Sequence, residues 1–140
     1  MVKKVLLDTS ILIDHLLLTF KDNNAVTVYM RLKAKNVKCF IAGVTIAELY
    51  AGKSTLKKEE AKRVKSLLEE VQVVLPNKVI YRLAGELARD YQPLILVDAL
   101  VAASAMKNGS ALMTLNDKYF KNIKGLELFS SENLYKLMEE

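Results

Sequence analysis

Acidic residues recur where apolar runs give way to helix-like segments. Leu6-Leu7 runs into Asp8-Thr9-Ser10, Cys39-Phe40-Ile41-Ala42 leads into Gly43-Val44-Thr45-Ile46-Ala47-Glu48, and Leu94-Ile95-Leu96-Val97 stops at Asp98. A fourth run, Ala111-Leu112-Met113, ends at Thr114-Leu115-Asn116-Asp117. In an open parallel sheet, ligands bind outside the carboxyl ends of the strands, so residues at such junctions can converge although far apart in sequence. Carboxylates gathered there repel one another unless a cation holds them, and oxygen-only ligation suits Mg²⁺ or Mn²⁺. The expectation is a metal-dependent phosphate chemistry centred on Asp8, Glu48 and Asp98.

Each acid also has a purely structural role open to it. Asp8 before Thr9-Ser10 and Asp98 before Ala99-Leu100-Val101 are placed to cap a helix N-terminus. Thr45-Ile46-Ala47-Glu48 matches a capping box, in which Glu48 reaches back to a backbone N–H. Coincident caps at all these junctions make the weaker reading, and a helix N-terminus can itself orient a carboxylate that binds metal. Other chemistries lack residues. His15 is the only histidine and Cys39 the only cysteine, so a zinc site of His/Cys type is excluded, as is any catalytic triad that does not use His15. His15 lies in an apolar segment and reads as a packed helix residue, and Phe120 reads as core rather than as a base-stacking group. Neither a GxxxxGK[ST] nor a GxGxxG loop is present. Metal-activated water is the engine that remains.

The elements that must position these groups alternate between strand and helix. Strands are predicted at 5–7, 38–42, 71–75, 111–114 and 126–129. Helices are predicted at 10–18, 24–35, 45–52, 57–70, 77–91 and 98–108, with a short helical turn at 118–120. Asn36, Gly52 and Gly109 are read as helix stops, and Ser130 or Ser131 as the cap of a last helix. Period-3.6 spacing puts Val26, Tyr29, Met30 and Lys33 on one face of the second helix, and Ala61, Val64, Leu67, Leu68 and Val71 on one face of the fourth. In the fifth, Val79, Ile80, Leu83, Ala84 and Leu87 are read as inward. In the first, Ile11, Leu12, Asp14 and His15 are assigned to exposed or rim faces. Such alternation argues for one α/β sheet, mostly parallel, covered on both faces.

At 140 residues, one domain over 1–140 is the natural reading. With 51% hydrophobic residues the chain has enough apolar surface for a core without disulfides, and a lone cysteine suits a reducing compartment. Asp8 and Asp14 break what would be the apolar stretch of a signal peptide, and no run approaches the roughly 18 apolar residues a membrane span needs. A cytoplasmic protein without membrane attachment is expected. Lys+Arg 21 against Asp+Glu 16 gives a net charge of +5, an excess that suits a polyanionic partner. Lys53, Lys57 and Lys58 follow the Glu48 segment, and Lys118, Lys121 and Lys124 follow the last acidic position. Basic residues around an acidic centre would draw phosphates towards a metal.

Leu7-Asp8-Thr9-Ser10, Thr45-Ile46-Ala47-Glu48-Leu49 with Gly52, Asp98-Ala99-Leu100-Val101-Ala102-Ala103, and Thr114-Leu115-Asn116-Asp117 with Phe120 together resemble the four motifs of the PIN-domain family. The likeness is greatest to its VapC-like toxin ribonucleases. Each block is weakly specific alone; four in order across the whole chain are strongly so. The resemblance implies a three-layer α/β/α sandwich with a central, mostly parallel sheet. It implies a Mg²⁺- or Mn²⁺-dependent endoribonuclease acting on single-stranded or structured RNA, a small antitoxin that covers the site, and a homodimer. Asp8 and Asp98 would be the main metal ligands, with Glu48 completing their shell or positioning the attacking water. Thr9, Ser10 and Thr114 would be supporting hydroxyls. The family's fourth acidic position falls on Asn116, with Asp117 as a neighbour able to substitute in part. A housekeeping RNA-processing nuclease and a catalytically silent RNA-binding or scaffold protein are the alternatives. The silent reading is disfavoured because clustered like charges are costly without a task. A phosphoacceptor receiver domain fails for want of a second acid beside Asp8.

Overall fold

Burial alternates along the strands with a period of two, and that alternation builds two cores. In the computed structural model, which describes residues 3–129 together with Asn133, Lys136 and Glu139, β1 (Lys4–Leu7) is the middle strand. Val5 and Leu7 point into one core and Leu6 into the other. β2 (Lys38–Ala42), β3 (Gln72–Val74), β4 (Ala111–Met113) and β5 (Leu128–Phe129) complete a sheet of order β3-β2-β1-β4-β5, every neighbouring pair parallel. Strands buried on both faces read as continuous apolar runs, which is why 5–7 and 111–113 carry no polar alternation.

Helices cover both faces. On one side, α1 (Thr9–Lys21), α2 (Val28–Ala34) and α4 (Lys58–Glu70) contribute Ile11, Leu12, Tyr29, Leu32, Val64 and Leu67 to the first core, joined by Leu49 of α3 (Gly43–Ala51). On the other side, α5 (Lys78–Asp90) contributes Ile80, Ala84 and Leu87, and α6 (Leu96–Asn108) contributes Ala99, Ala102 and Ala103. These alanines are wholly buried, and their small side chains let α6 lie close against the sheet. The expected three-layer α/β/α sandwich is what forms.

Two helix stops hold as expected. Asn36 takes a left-handed φ of 59° after α2, and Gly109 a φ of 66° after α6. Gly52 follows α3 in extended rather than left-handed backbone.

Several local expectations are corrected. Ile11 and Leu12 are core residues, not rim, because the first turn of α1 packs directly on the sheet. The second helix is shorter than 24–35, and its buried face is Val28, Tyr29 and Leu32, whereas Val26 and Met30 are exposed. Thr27 caps it, its hydroxyl accepting from the Met30 N–H, so the pattern starts two residues later than Val26 suggests. Val79 is exposed because α5 turns its Ile80–Ala84–Leu87 stripe inward, with Leu83 partly buried against the same core. The strand at 71–75 shrinks to Gln72–Val74, with Val71 packed at the end of α4. The helix expected at 98–108 begins two residues earlier: Leu94 is a buried loop residue, and Leu96 already starts α6. The capping serine at 130 or 131 lies outside the described residues.

Candidate active site

The strand order reverses at β1. The chain steps outward from β1 to β2 to β3, then returns to place β4 on the opposite side of β1. Such a switch point leaves a crevice at the carboxyl ends of the two strands. Asp8 follows β1 there, its N–H donating to Met113 O at 2.9 Å and so joining the two strand ends.

Asp8 is buried and both its carboxylate oxygens are engaged. Oδ1 accepts from the Thr9 N–H at 2.9 Å, and Oδ2 accepts from Thr114 Oγ1 at 2.7 Å and Ser10 Oγ at 3.3 Å. Two further bonds hold those hydroxyls from outside: Leu115 N donates to Ser10 Oγ at 3.1 Å, and Asn116 N to Thr114 Oγ1 at 3.0 Å. Thr9, Ser10 and Thr114 thus all donate to the Asp8 carboxylate, Thr9 through its backbone N–H. Asp8 is also the N-cap of α1, as its place before Thr9-Ser10 suggests.

Glu48 arrives from a different direction. It lies in the middle of α3, and its Oε1 accepts from Thr9 Oγ1 at 2.6 Å. The capping-box expectation fails because α3 begins at Gly43 with Ala42 as N-cap, which puts Thr45 inside the first turn rather than before it. Asp98 likewise stands neither at a strand end nor at an N-cap. It occupies the first turn of α6, whose N-cap is Ile95, where the helix dipole favours a carboxylate.

Electrostatics tie the three acids together. The half-buried Asp98 carboxyl is pushed up to about 6, first by burial and then by the facing Asp8 and Glu48 carboxylates. Of the fourth-position candidates, Asn116 is exposed and Asp117 half-buried at the start of a 3-10 turn (Asp117–Tyr119). The carboxylates that raise Asp98 are Asp8 and Glu48. The donors are oxygens only, which fits a hard divalent cation. Among the described residues, no three His, Cys, Asp or Glu side chains already stand as a closed metal cage; Glu48 is turned towards Thr9 instead.

Lys57 shares a groove with Glu48, and the Lys118 ammonium sits 5.3 Å from the centroid of the Tyr119 ring. Phe120 is core, as expected. His15 is a packed residue: its Nδ1 is 2.7 Å from Thr27 Oγ1, its ring meets Tyr29 edge-on, and burial lowers its pKa. Sequence reasoning gave Thr45 only a capping role, yet its wholly buried hydroxyl lies 3.0 Å from that of Thr9. The Thr-x-x-Glu spacing, which puts both side chains on one helix face, was the available signal.

The PIN-domain family model matches residues 5–126. The chain belongs to the PIN-domain family. Ribonuclease VapC1 of Rickettsia felis is 31% identical over 103 residues, covering 66% of this PIN domain's chain and 76% of the relative. Among solved structures, VapBC2 of Rickettsia felis, bound to a DNA fragment from its promoter, superposes with a TM-score of 0.76. That match has 24% identity and covers 91% of this chain and 98% of the other. A toxin–antitoxin complex from Klebsiella pneumoniae gives a TM-score of 0.69 at 26% identity, over 87% and 94% of the two chains. Divalent-metal dependence is the general property of nucleases in this family. No described helix is long and apolar enough to cross a membrane.

Proposed function

We propose that this PIN domain is a VapC-like endoribonuclease, the toxin of a toxin–antitoxin pair, which uses Mg²⁺ or Mn²⁺ to hydrolyse RNA phosphodiester bonds. One observation carries the reading: the carboxylates of Asp8, Glu48 and Asp98, from separate elements, lie near enough to one another for Asp8 and Glu48 to raise Asp98. The ribonuclease and toxin–antitoxin names of the relatives support the same direction. A divalent cation bound at this centre would supply charge neutralisation for the phosphoryl group and activation of water. Asp8 and Asp98 would hold it, one fixed by hydroxyl and backbone donors, the other by its helix turn. Glu48, oriented by Thr9, completes the shell or positions the water. Asn116 serves as a neutral outer group, with Asp117 as its partial substitute. Lys53, Lys57, Lys118 and Lys121 hold RNA through its phosphates.

An apolar groove of about 640 Å³ between α1, α3 and α4 supports the antitoxin as partner. Ile13, Leu17 and Phe20 line it and are 43%, 58% and 65% exposed. A segment seated there through apolar anchors lies against Glu48 and Lys57, so it excludes RNA from the same surface. Exposed Leu75 and Tyr81 beside a second groove at the start of α3 supply apolar surface for a homodimer. Residues 1–140 act as one domain, and the cytoplasm is the compartment in which its RNA and a reduced Cys39 are both at hand.

The test is cleavage of RNA by purified, antitoxin-free protein with Mg²⁺ or Mn²⁺, stopped by chelator. Asp8→Asn should lose at least a hundredfold in rate while keeping wild-type circular dichroism. Persistent cleavage by that folded variant would refute the assignment.

A further inference from the structure

We infer that Tyr119 is a stacking platform for an unpaired base of a single RNA strand passing the acidic centre. Resting on the ribonuclease reading, this narrows the substrate class to RNA with unpaired nucleotides close to the cleavage site.

The segment from Asp117 to Lys124 is clamped to the body of the domain. Phe120 and Ile123 are buried in the core between α5, α6 and the sheet. The Phe120 and Lys121 N–H groups both donate to Asp117 O, the Ile123 N–H donates to Phe120 O, and the Lys124 N–H donates to the Tyr91 hydroxyl at 3.1 Å. Around those anchors Lys118, Tyr119, Lys121, Asn122 and Lys124 are exposed. Among the described residues the Tyr119 hydroxyl has no hydrogen-bond partner, and its ring meets the Lys118 ammonium at 5.3 Å from the centroid. Nor do Lys118, Lys121 and Lys124 form an ion pair among the described residues, whereas Lys33, Arg63, Arg82 and Arg89 each meet a carboxylate.

Short links tie this surface to the acidic centre. Thr114 Oγ1 donates to Asp8 Oδ2 at 2.7 Å and accepts from the Asn116 N–H at 3.0 Å. Tyr119 follows Asn116 by three residues, so its Cα lies at most about 11 Å from that of Asn116. A strand whose phosphate sits at the acids therefore passes the ring within a few nucleotides. Unpaired cations suit the phosphates of that strand. An exposed ring suits its bases, since every base offers a π-face. The Lys118 ammonium takes one face of the ring, and a base takes the other. In a duplex the bases are already stacked and paired, and the protein meets backbone and groove instead. Because the backbone under Tyr119 is already fixed, a strand that stacks there does not have to order a loop.

The experiment titrates the full chain, in chelator so that no cleavage intervenes, into a short single-stranded oligoribonucleotide whose adenines are replaced by a fluorescent analogue. Wild type is compared with Tyr119→Ala, Tyr119→Leu and Tyr119→Phe. Tyr119→Ala is expected to weaken binding roughly 5- to 100-fold and to remove the quenching that stacking produces. Tyr119→Leu, apolar but without a π-face, should match it and serves in its place should Tyr119→Ala not fold. Tyr119→Phe should bind within about threefold of wild type, because stacking needs the ring and not the hydroxyl. In all three the slope of log K against log salt should stay as in wild type, since no phosphate contact is lost. The same RNA annealed to its complement should bind wild type and Tyr119→Ala alike. Single-strand affinity unmoved by loss of the ring, or an equal loss for strand and duplex, would overturn the inference. Wild type that binds and quenches as expected yet leaves RNA uncut with Mg²⁺ or Mn²⁺ would instead count against the ribonuclease reading alone.

Discussion

Replacing Asp98 with asparagine should make the metal-free protein more stable, and by an amount that depends on pH. In the folded chain the Asp98 carboxyl is pushed up to about 6 by burial and by the Asp8 and Glu48 carboxylates. The folded state therefore holds a proton that the unfolded chain, titrating near 4, has already released. Between those values stability falls as pH rises, and the full penalty is present above about 6. A change of roughly two pH units corresponds to about 3 kcal/mol for a shielded group. Asp98 is only half-buried, so water screens the repulsion and about 1 kcal/mol is a fair expectation. Asparagine cannot ionise and escapes that cost. At pH near 7.5, in chelator, Asp98→Asn should raise Tm by about 3–4 °C, and near pH 3.5 by nothing. Saturating Mn²⁺ reverses the order, because a cation held at tenfold its Kd stabilises wild type by about 1.4 kcal/mol and the variant by less. Differential scanning calorimetry across this pH range, with and without Mn²⁺, measures both effects. A variant less stable than wild type at pH 7.5 in chelator would refute the account of repulsion. One that kept the full Mn²⁺ shift would remove Asp98 from the metal site.

Other perturbations separate substrate, partner and fourth position. Charge reversal at Lys57 and Lys118 should weaken RNA binding and reduce the slope of log K against log salt by about 0.7 for each phosphate no longer neutralised; an unchanged slope in filter-binding assays would place the RNA elsewhere. Leu17→Asp, on an exposed wall of the apolar groove, should weaken antitoxin binding by about 2 kcal/mol or more while RNA cleavage continues. Calorimetric titration showing wild-type affinity would move the partner off the groove. Asn116→Ala and Asp117→Ala should each slow cleavage, with the Asn116 change costing more; wild-type rates in both would take this position out of the mechanism.

Local chemistry made much of this legible in the sequence. Apolar runs too short for helices marked β1, β2 and β4, because strands covered on both faces need apolar side chains on both. Asn36 and Gly109 marked the ends of α2 and α6, because both accept left-handed backbone at little cost. The acids were legible as residue types at punctuation points, together with the hydroxyls beside Asp8.

Tertiary structure decided what those residues do. Thr45 and Glu48 carry the signature of a capping box, yet α3 starts at Gly43. The side chains that would have closed the box meet Thr9 from another helix instead. The apolar run before Asp98 reads as a turn, but Leu96 already lies in α6, since a short apolar run fits the first turn of a helix as well. Val79 fits a helical period and is still exposed, because period fixes which residues share a face and not which face finds the sheet, while Val26 precedes α2 altogether. The Asp98 carboxyl is raised first by its burial and then by Asp8 and Glu48, none of which the sequence alone could give: burial needs the packed fold, and repulsion between charges from distant parts of the chain depends on distance through space.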